Sequence, residues 1–318
     1  MRTNQNTEQI AGRIYTHALS IRKVENKNSE NYGKEFINGT LDVATDDAGM
    51  NVLQVHYSYV TPTTKQGKGN VSYNALKQII ESGKTILKDG LDQATCVRLT
   101  PSIALNDFYP NGEDELVSTP RHEGGFVTIL RGGPKDLPAE ADRNTFKCDA
   151  LFTNAIVIEK NPERGIEEDY LQLKGCIFNF RNDILPMTFI LRNPNGIKYV
   201  ESLGIDPSNP LYTEARGYIE NRTVKIEKTV ESAFGEDAVD TVERKVRNWV
   251  INNMAKVPYD FGAEEILTAA DIQKAMENRN VYLAEVKQRS AEYYKSAAQT
   301  SAAPTASVTG IPAGGFKF

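Results

Sequence analysis

Two strand-like runs of this chain are interrupted by a glycine at the same relative place. The first, Phe36 to Thr45, carries Asn38-Gly39 near its middle; the second, Tyr170 to Phe180, carries Lys174-Gly175. A glycine inside a strand marks a bulge, a tight bend at a barrel corner or a close backbone approach. Each run is followed by an apolar return strand, Asn51 to Val60 in one case and Ile184 to Leu191 in the other. In the first return strand Leu53, Val55, Tyr57 and Tyr59 alternate with Gln54, His56 and Ser58, the period of a half-buried strand. The connection Asp46-Asp47-Ala48-Gly49 is a turn signal, so the first pair reads as a hairpin.

A helix-like segment comes next in both halves. Ser72 is a fair N-cap, Leu76, Ile79 and Ile80 have helical spacing, and Gly83 can end the helix. In the second half Gly196 to Leu203 is the counterpart. Further strands are expected at Ala94–Thr100, Gly125–Leu130, Ala150–Glu159 and Tyr212–Glu227, the last broken by Gly217. Ala150–Glu159 reads as the closing strand of the first unit. Asp240–Asn253 is ambiguous, and Val242, Val246 and Val250, spaced by four, favour helix there.

The order bent strand, hairpin strand, helix, strand, hairpin strand is that of a small five-stranded barrel with a helix plugging one end, the OB-fold. The fold class is therefore mainly β with some α: tandem OB-fold barrels, then a C-terminal helix and a disordered tail. A length of 318 residues suits two domains. The expected boundaries are 1–12 for a flexible leader, 13–160 for the first barrel and 167–260 for the second. A helical segment follows at 261–295, where Thr268 and Asp271 form a capping-box-like start. Residues 296–318 are rich in Ala, Ser, Thr, Pro and Gly, too poor in apolar surface to offset chain entropy.

Composition limits the functional classes. Mean hydropathy is -0.46, and no run reaches the roughly 18 apolar residues of a membrane span. Met1–Ile10 has no apolar signal core, so a cytoplasmic protein is expected. With 37 basic and 42 acidic residues the net charge is -5. That argues against a wholly basic nucleic-acid coat, not against a local basic groove. Cys96, Cys148 and Cys176 form no CxxC pair, and His17, His56 and His122 are scattered. Neither a zinc site nor a cofactor is expected. Gly124-Gly125 and Gly132-Gly133 lack the Lys-Ser/Thr of a P-loop, and no GxSxG occurs. A non-catalytic protein is expected.

The run Ile37–Leu41 through Asn51–Tyr57, the helix Ser72–Gly83, the strand Val97–Leu99 and the turn Asp107–Gly112 carry a resemblance. Together they are similar to the bacterial and phage single-stranded DNA-binding proteins. The similarity covers about Phe36 to Leu130, with a weaker extension to Lys228. The resemblance implies a protein that coats single-stranded DNA during replication, recombination or repair, with no membrane partner and an open oligomeric state. Replication or recombination proteins would be met through the C-terminal helix and tail. The chain departs from that family in having two barrels and in having no acid after Glu292, although its tail ends in an aromatic tip, Phe318.

Stacking of bases on aromatic rings and neutralisation of phosphates by Lys and Arg would carry such binding. Candidate residues in the first unit are His56, Tyr57, Tyr59, Lys65, Lys68, Arg98, Phe108, Tyr109, Arg121 and Arg131. In the second they are Lys174, Phe178, Phe180 and Arg216. Tyr57 and Tyr59 lie with Leu53 and Val55, so a core role competes with binding, and Phe178 and Phe180 face the same choice. Trp249, the lone tryptophan, reads as a packing residue. Two other functions stay open at this level: a phage structural or assembly protein using the barrels for protein contacts, and a metal-dependent nuclease.

Overall fold

The computed structural model describes residues 3–110, 115–161, 164–230, 234 and 238–301. Among them, eleven strands join one sheet. The first five long elements are β1 (Asn6–His17), β3 (Glu35–Ala44), β4 (Val52–Val60), β5 (Cys96–Phe108) and β6 (Val117–Ile129), with the short β2 (Ser20–Lys23) on the edge of β3. β1 pairs with β3, β3 with β4, β4 with β6, β6 with β5, and β5 with β1. That closes a five-stranded ring in which only β4 and β6 run parallel.

The second ring repeats this wiring. It contains β7 (Asn144–Ile158), β8 (Tyr170–Phe178), β9 (Ile184–Leu191), β10 (Leu211–Val230) and β11 (Ala238–Met254). β7 pairs with β8, β8 with β9, β9 in parallel with β11, β11 with β10, and β10 with β7. Both rings have the strand order of the OB-fold.

The two interrupting glycines stand where one strand's backbone passes close to the next. Gly39 has φ 126°, and a Cβ there would lie 2.1 Å from the Ala18 carbonyl oxygen. A Cβ on Gly175 would lie 2.0 Å from that of Leu151. Bulges fall next to both, between Ile37 and Gly39 and between Phe152 and Asn154. Only glycine fits such an approach of one strand's backbone to the next.

A helix fills the same place in each ring. Between β4 and β5 lies α1 (Val71–Ser82), followed by the short α2 (Ile86–Asp89). The α1 N-cap is Asn70, whose side chain accepts from the amides of Ser72 and Tyr73. It lies two residues before the expected Ser72, because the amide side chain reaches the open first turn. Leu76 and Ile79 are buried against the barrel, and Gly83 ends the helix. Between β9 and β10 lies α3 (Pro194–Ser202), capped by Asn193, with Val200 buried.

Several expectations are corrected. Residues 6–12 belong to β1, not to a leader, and Ile10, Ala11 and Ile14 are core residues. Residues 150–158 belong to the second ring instead of closing the first, because they pair with β8 and β10. Residues 240–253 lie in β11, not in a helix. Their spacing by four also puts Val242, Val246 and Val250 on one side of a strand, and pairing with β10 decides between the two periods.

The rings are joined by β1, whose first half pairs with β7 and whose second half pairs with β5 and β3. The outer surface of β7, β8 and β10 in the second ring is covered by later chain. Leu151, Cys176, Phe178 and Tyr212 pack there with Tyr259, Phe261, Leu267, Ile272 and Ala275. The last element is α4 (Ala269–Ser301). Thr268 and Asp271 cap it reciprocally, the Thr268 amide and hydroxyl donating to the Asp271 carboxylate at 3.0 and 2.8 Å. Residues 106–110, 115–119 and 280–301 form a unit of their own. Within it the Ser290 hydroxyl donates to the Tyr109 carbonyl at 2.7 Å. The expected disordered tail lies outside the described residues from 302 onward. All three cysteines are buried and free, and burial pushes the Cys176 thiol up to about 12.

Candidate nucleic-acid interface

The candidate surface of the first barrel is the outer face of β3 and β4. Side chains alternate along both strands, so Ile37, Leu41, Val43, Leu53, Val55 and Tyr57 go inward. The outward set is Phe36, Asn38, Thr40 and Asp42 on β3, with Gln54, His56 and Ser58 on β4. At one end Phe36 and Tyr59 face each other with ring centroids 4.7 Å apart and planes tilted by 38°. Tyr59 is 46% exposed. Phe36 beside it is half-buried.

Cations border this pair through the sheet register. Arg22 on β2 sits directly opposite Phe36 and is exposed. Beyond Val60 the chain makes a tight loop, closed by the Thr63–Gly69 bridge and by the Thr64 amide donating to the Lys68 carbonyl at 2.7 Å. The loop is tied down where the Asn70 side chain donates to the Thr61 carbonyl at 2.9 Å. Lys65 and Lys68 are exposed on it.

Farther along, His56 lies opposite Thr40 on β3 and beside Glu123 on β6. Burial, and then the charge of Arg121, lower its pKa from the usual histidine value. A neutral ring follows at pH 7, able to stack or to exchange a hydrogen bond. Arg121 forms a 2.8 Å ion pair with Glu123, which also accepts from the Ser58 hydroxyl. Next along the track the Gln54 amide donates to Asp42 at 2.9 Å.

Three of the expected residues, His56, Tyr59 and Arg121, thus fall on or beside one face, and Lys65 and Lys68 lie on the loop that follows β4. Tyr57 does not: it is 2% exposed, one of the largest side chains of the core, and burial raises its pKa strongly. Phe178 is fully buried as well, under the segment that carries Tyr259 and Leu267. These two are corrected to packing residues, because their strand positions point into layers filled from both sides.

The rest are exposed or half-buried but placed elsewhere. Arg98 is on β5, whose neighbours in the ring are β1 and β6. Arg131 lines a groove between α1 and β6. Phe108 and Tyr109 belong to the unit of residues 106–110, 115–119 and 280–301, where the Lys287 ammonium lies 5.8 Å from the Tyr109 ring centroid. In the second barrel Lys174 is exposed on β8. Phe180 is 84% exposed in the turn after β8, under the Arg181 guanidinium at 5.1 Å. Arg216 is held by Glu214 at 2.6 Å.

Sequence reading missed Phe36 and Arg22. Phe36 precedes Ile37 in an apolar run, and the alternation that puts it outside is legible only once the bulge at Gly39 is placed. The buried Glu8 was missed too, since a carboxylate in a polar N-terminal stretch carries no local sign of burial. Among the described residues no group of three or more His, Cys, Asp or Glu side chains is placed to hold a metal ion.

Two closed rings with this strand order, each plugged by a helix at the same point, define the chain as a tandem OB-fold protein. The family described as YorF matches residues 6–289, and the chain belongs to that family. No curated protein matches it. Two solved structures are similar, a deletion variant and the wild type of the single-stranded DNA binding protein from Thermus aquaticus. The first is 11% identical, covering 83% of this chain and 100% of that one, with TM-score 0.46. The second is 9% identical, covering 81% and 96%, also with TM-score 0.46. No described helix is long and apolar enough to cross a membrane.

Proposed function

We propose that the chain binds single-stranded DNA along the outer face of β3 and β4, without making or breaking covalent bonds. The observation that carries this is the Phe36–Tyr59 pair on the outer face of the barrel, with Tyr59 exposed, Arg22 opposite Phe36, and Lys65 and Lys68 on the loop that follows β4. Unpaired bases stack on such rings with about 1–3 kcal/mol per base and little sequence preference. Duplex DNA hides its base faces and meets a surface with only scattered cations. From Tyr59 to Val52, β4 is about 23 Å long at 3.3 Å per residue, room for the roughly four nucleotides at the lower end of OB-fold site sizes. The covering of the second barrel by Tyr259, Phe261 and Leu267 supports assigning the strand to the first. Service in replication or recombination in a bacterial host is part of this reading, with α4 as the element for protein contacts.

The test is a fluorescence anisotropy titration of labelled oligo-dT, with a duplex of equal length as competitor. Binding at low salt that weakens as salt rises, and far weaker binding of duplex, is the expected result. No binding of oligo-dT at 50 mM salt overturns the reading, and so does equal affinity for duplex.

A further inference from the structure

The second barrel sends part of itself over the first. β10 is paired with β7 only through Tyr218, and β11 with β9 only at Val250 and Ile251. From there outward the two strands pair only with each other, from Ile219↔Trp249 to Val230↔Ala238. At about 3.4 Å per residue these rungs make a ribbon on the order of 40 Å long. Its stem is fixed against the first barrel at two places. The Asn221 amide donates to the Val52 carbonyl at the end of β4. The Trp249 indole donates at 2.9 Å to Glu8, which also meets His122 of β6.

Register then places the charges. Arg247 lies across from Asn221, and Lys245 from Thr223, so the stem cations face neutral residues across the ribbon. Farther out the register sets Lys225 opposite Glu243 and Lys228 opposite Asp240. The stem is where basic residues outnumber acids. Lys245 and Arg247 both reach solvent, although neighbouring protein crowds Arg247. Partial burial lowers the Arg247 pKa while the Glu8 and Asp42 carboxylates oppose that. A guanidinium stays charged throughout. Its charge also reaches His56 in the middle of the β3–β4 face.

We propose that the stem of the β10–β11 ribbon is the phosphate-binding wall of the first barrel's interface, with Lys245 and Arg247 neutralising the backbone of a single strand stacked on Phe36 and Tyr59. This rests on the reading of that face as a single-stranded DNA site. It assigns the two barrels different duties: the first offers rings and the second offers charge. The strand enters at the Phe36–Tyr59 end and reaches the ribbon where Asn221 meets Val52.

The test is the same oligo-dT titration across a salt series, on the full chain. Lys245→Ala/Arg247→Ala removes two charges, and each phosphate contact on a single strand contributes about 0.7 to the slope of log affinity against log salt. A slope shallower by about 1.4 is expected for the double variant and by about half that for Lys245→Ala alone. Lys198→Ala/Lys274→Ala removes two exposed charges elsewhere and is expected to keep the parent slope. A double variant with the parent slope, or a control that loses as much, overturns the clamp while leaving DNA binding standing. Failure of the parent protein to bind oligo-dT overturns the underlying site instead.

Discussion

His122 Nδ1 stands 2.7 Å from the Glu8 carboxylate, although 114 positions of sequence separate them. Both side chains are sealed from solvent. The second Glu8 oxygen accepts from the Trp249 indole at 2.9 Å, so one carboxylate ties β1 to a strand from each barrel. Glu8→Ala leaves an indole N–H and an imidazole nitrogen buried without that partner, at about 1–3 kcal/mol for each. The expected outcome is a lower urea midpoint, with the emission of Trp249, the only tryptophan, shifted to longer wavelength. A variant as stable as its parent would refute the role of Glu8 as the joint.

Stacking and core roles separate by substitution. Phe36→Ala and Tyr59→Ala are each expected to weaken oligo-dT binding by about 1–3 kcal/mol while leaving the salt slope unchanged. Tyr57→Ala removes a core ring and is expected to cost about 3–5 kcal/mol of stability, read by denaturant unfolding. The reverse pattern, with Tyr57 governing binding and Tyr59 governing stability, contradicts the assignment of faces.

The corner glycines give a stability test with no bearing on charge. Gly39→Ala puts a methyl group about where the Ala18 carbonyl stands, in a backbone conformation that L side chains rarely adopt. Gly175→Ala meets Leu151 in the same way. Each is expected to lower the thermal midpoint by more than Gly69→Ala, an exposed loop position without positive φ whose Cβ would meet nothing within 4 Å. Equal midpoints would show that the barrels do not turn at these residues.

Acid is expected to loosen the loop that carries Asp47. The Arg143 guanidinium, 2.7 Å from Asp47, holds that carboxyl below its usual value of 3.8 by hydrogen bond and charge. A folded pKa below the unfolded one stabilises above the unfolded value and is lost as pH falls through the folded value. The contribution of Asp47 is therefore complete above about pH 4 and declines in stronger acid. Asp47→Asn is expected to lower the urea midpoint at pH 6 and to narrow its gap from the parent at pH 3. A gap that widens at pH 3 contradicts the sign.

The amino-acid pattern alone placed most strands of both barrels, the helix after each return strand, and the glycine corners. These are local signals, with periods of two or 3.6 and one residue type that fits a crowded bend. Tertiary structure alone decided what depends on partners far along the chain. It gave Asn144–Ile158 to the second ring, turned Phe36 outward onto Tyr59, and buried Glu8 between His122 and a tryptophan 241 positions away. A segment's own residues state which face is apolar. Which strand lies against it, and whether a charge there is neutralised or left to meet a phosphate, follows only when distant strands close the ring.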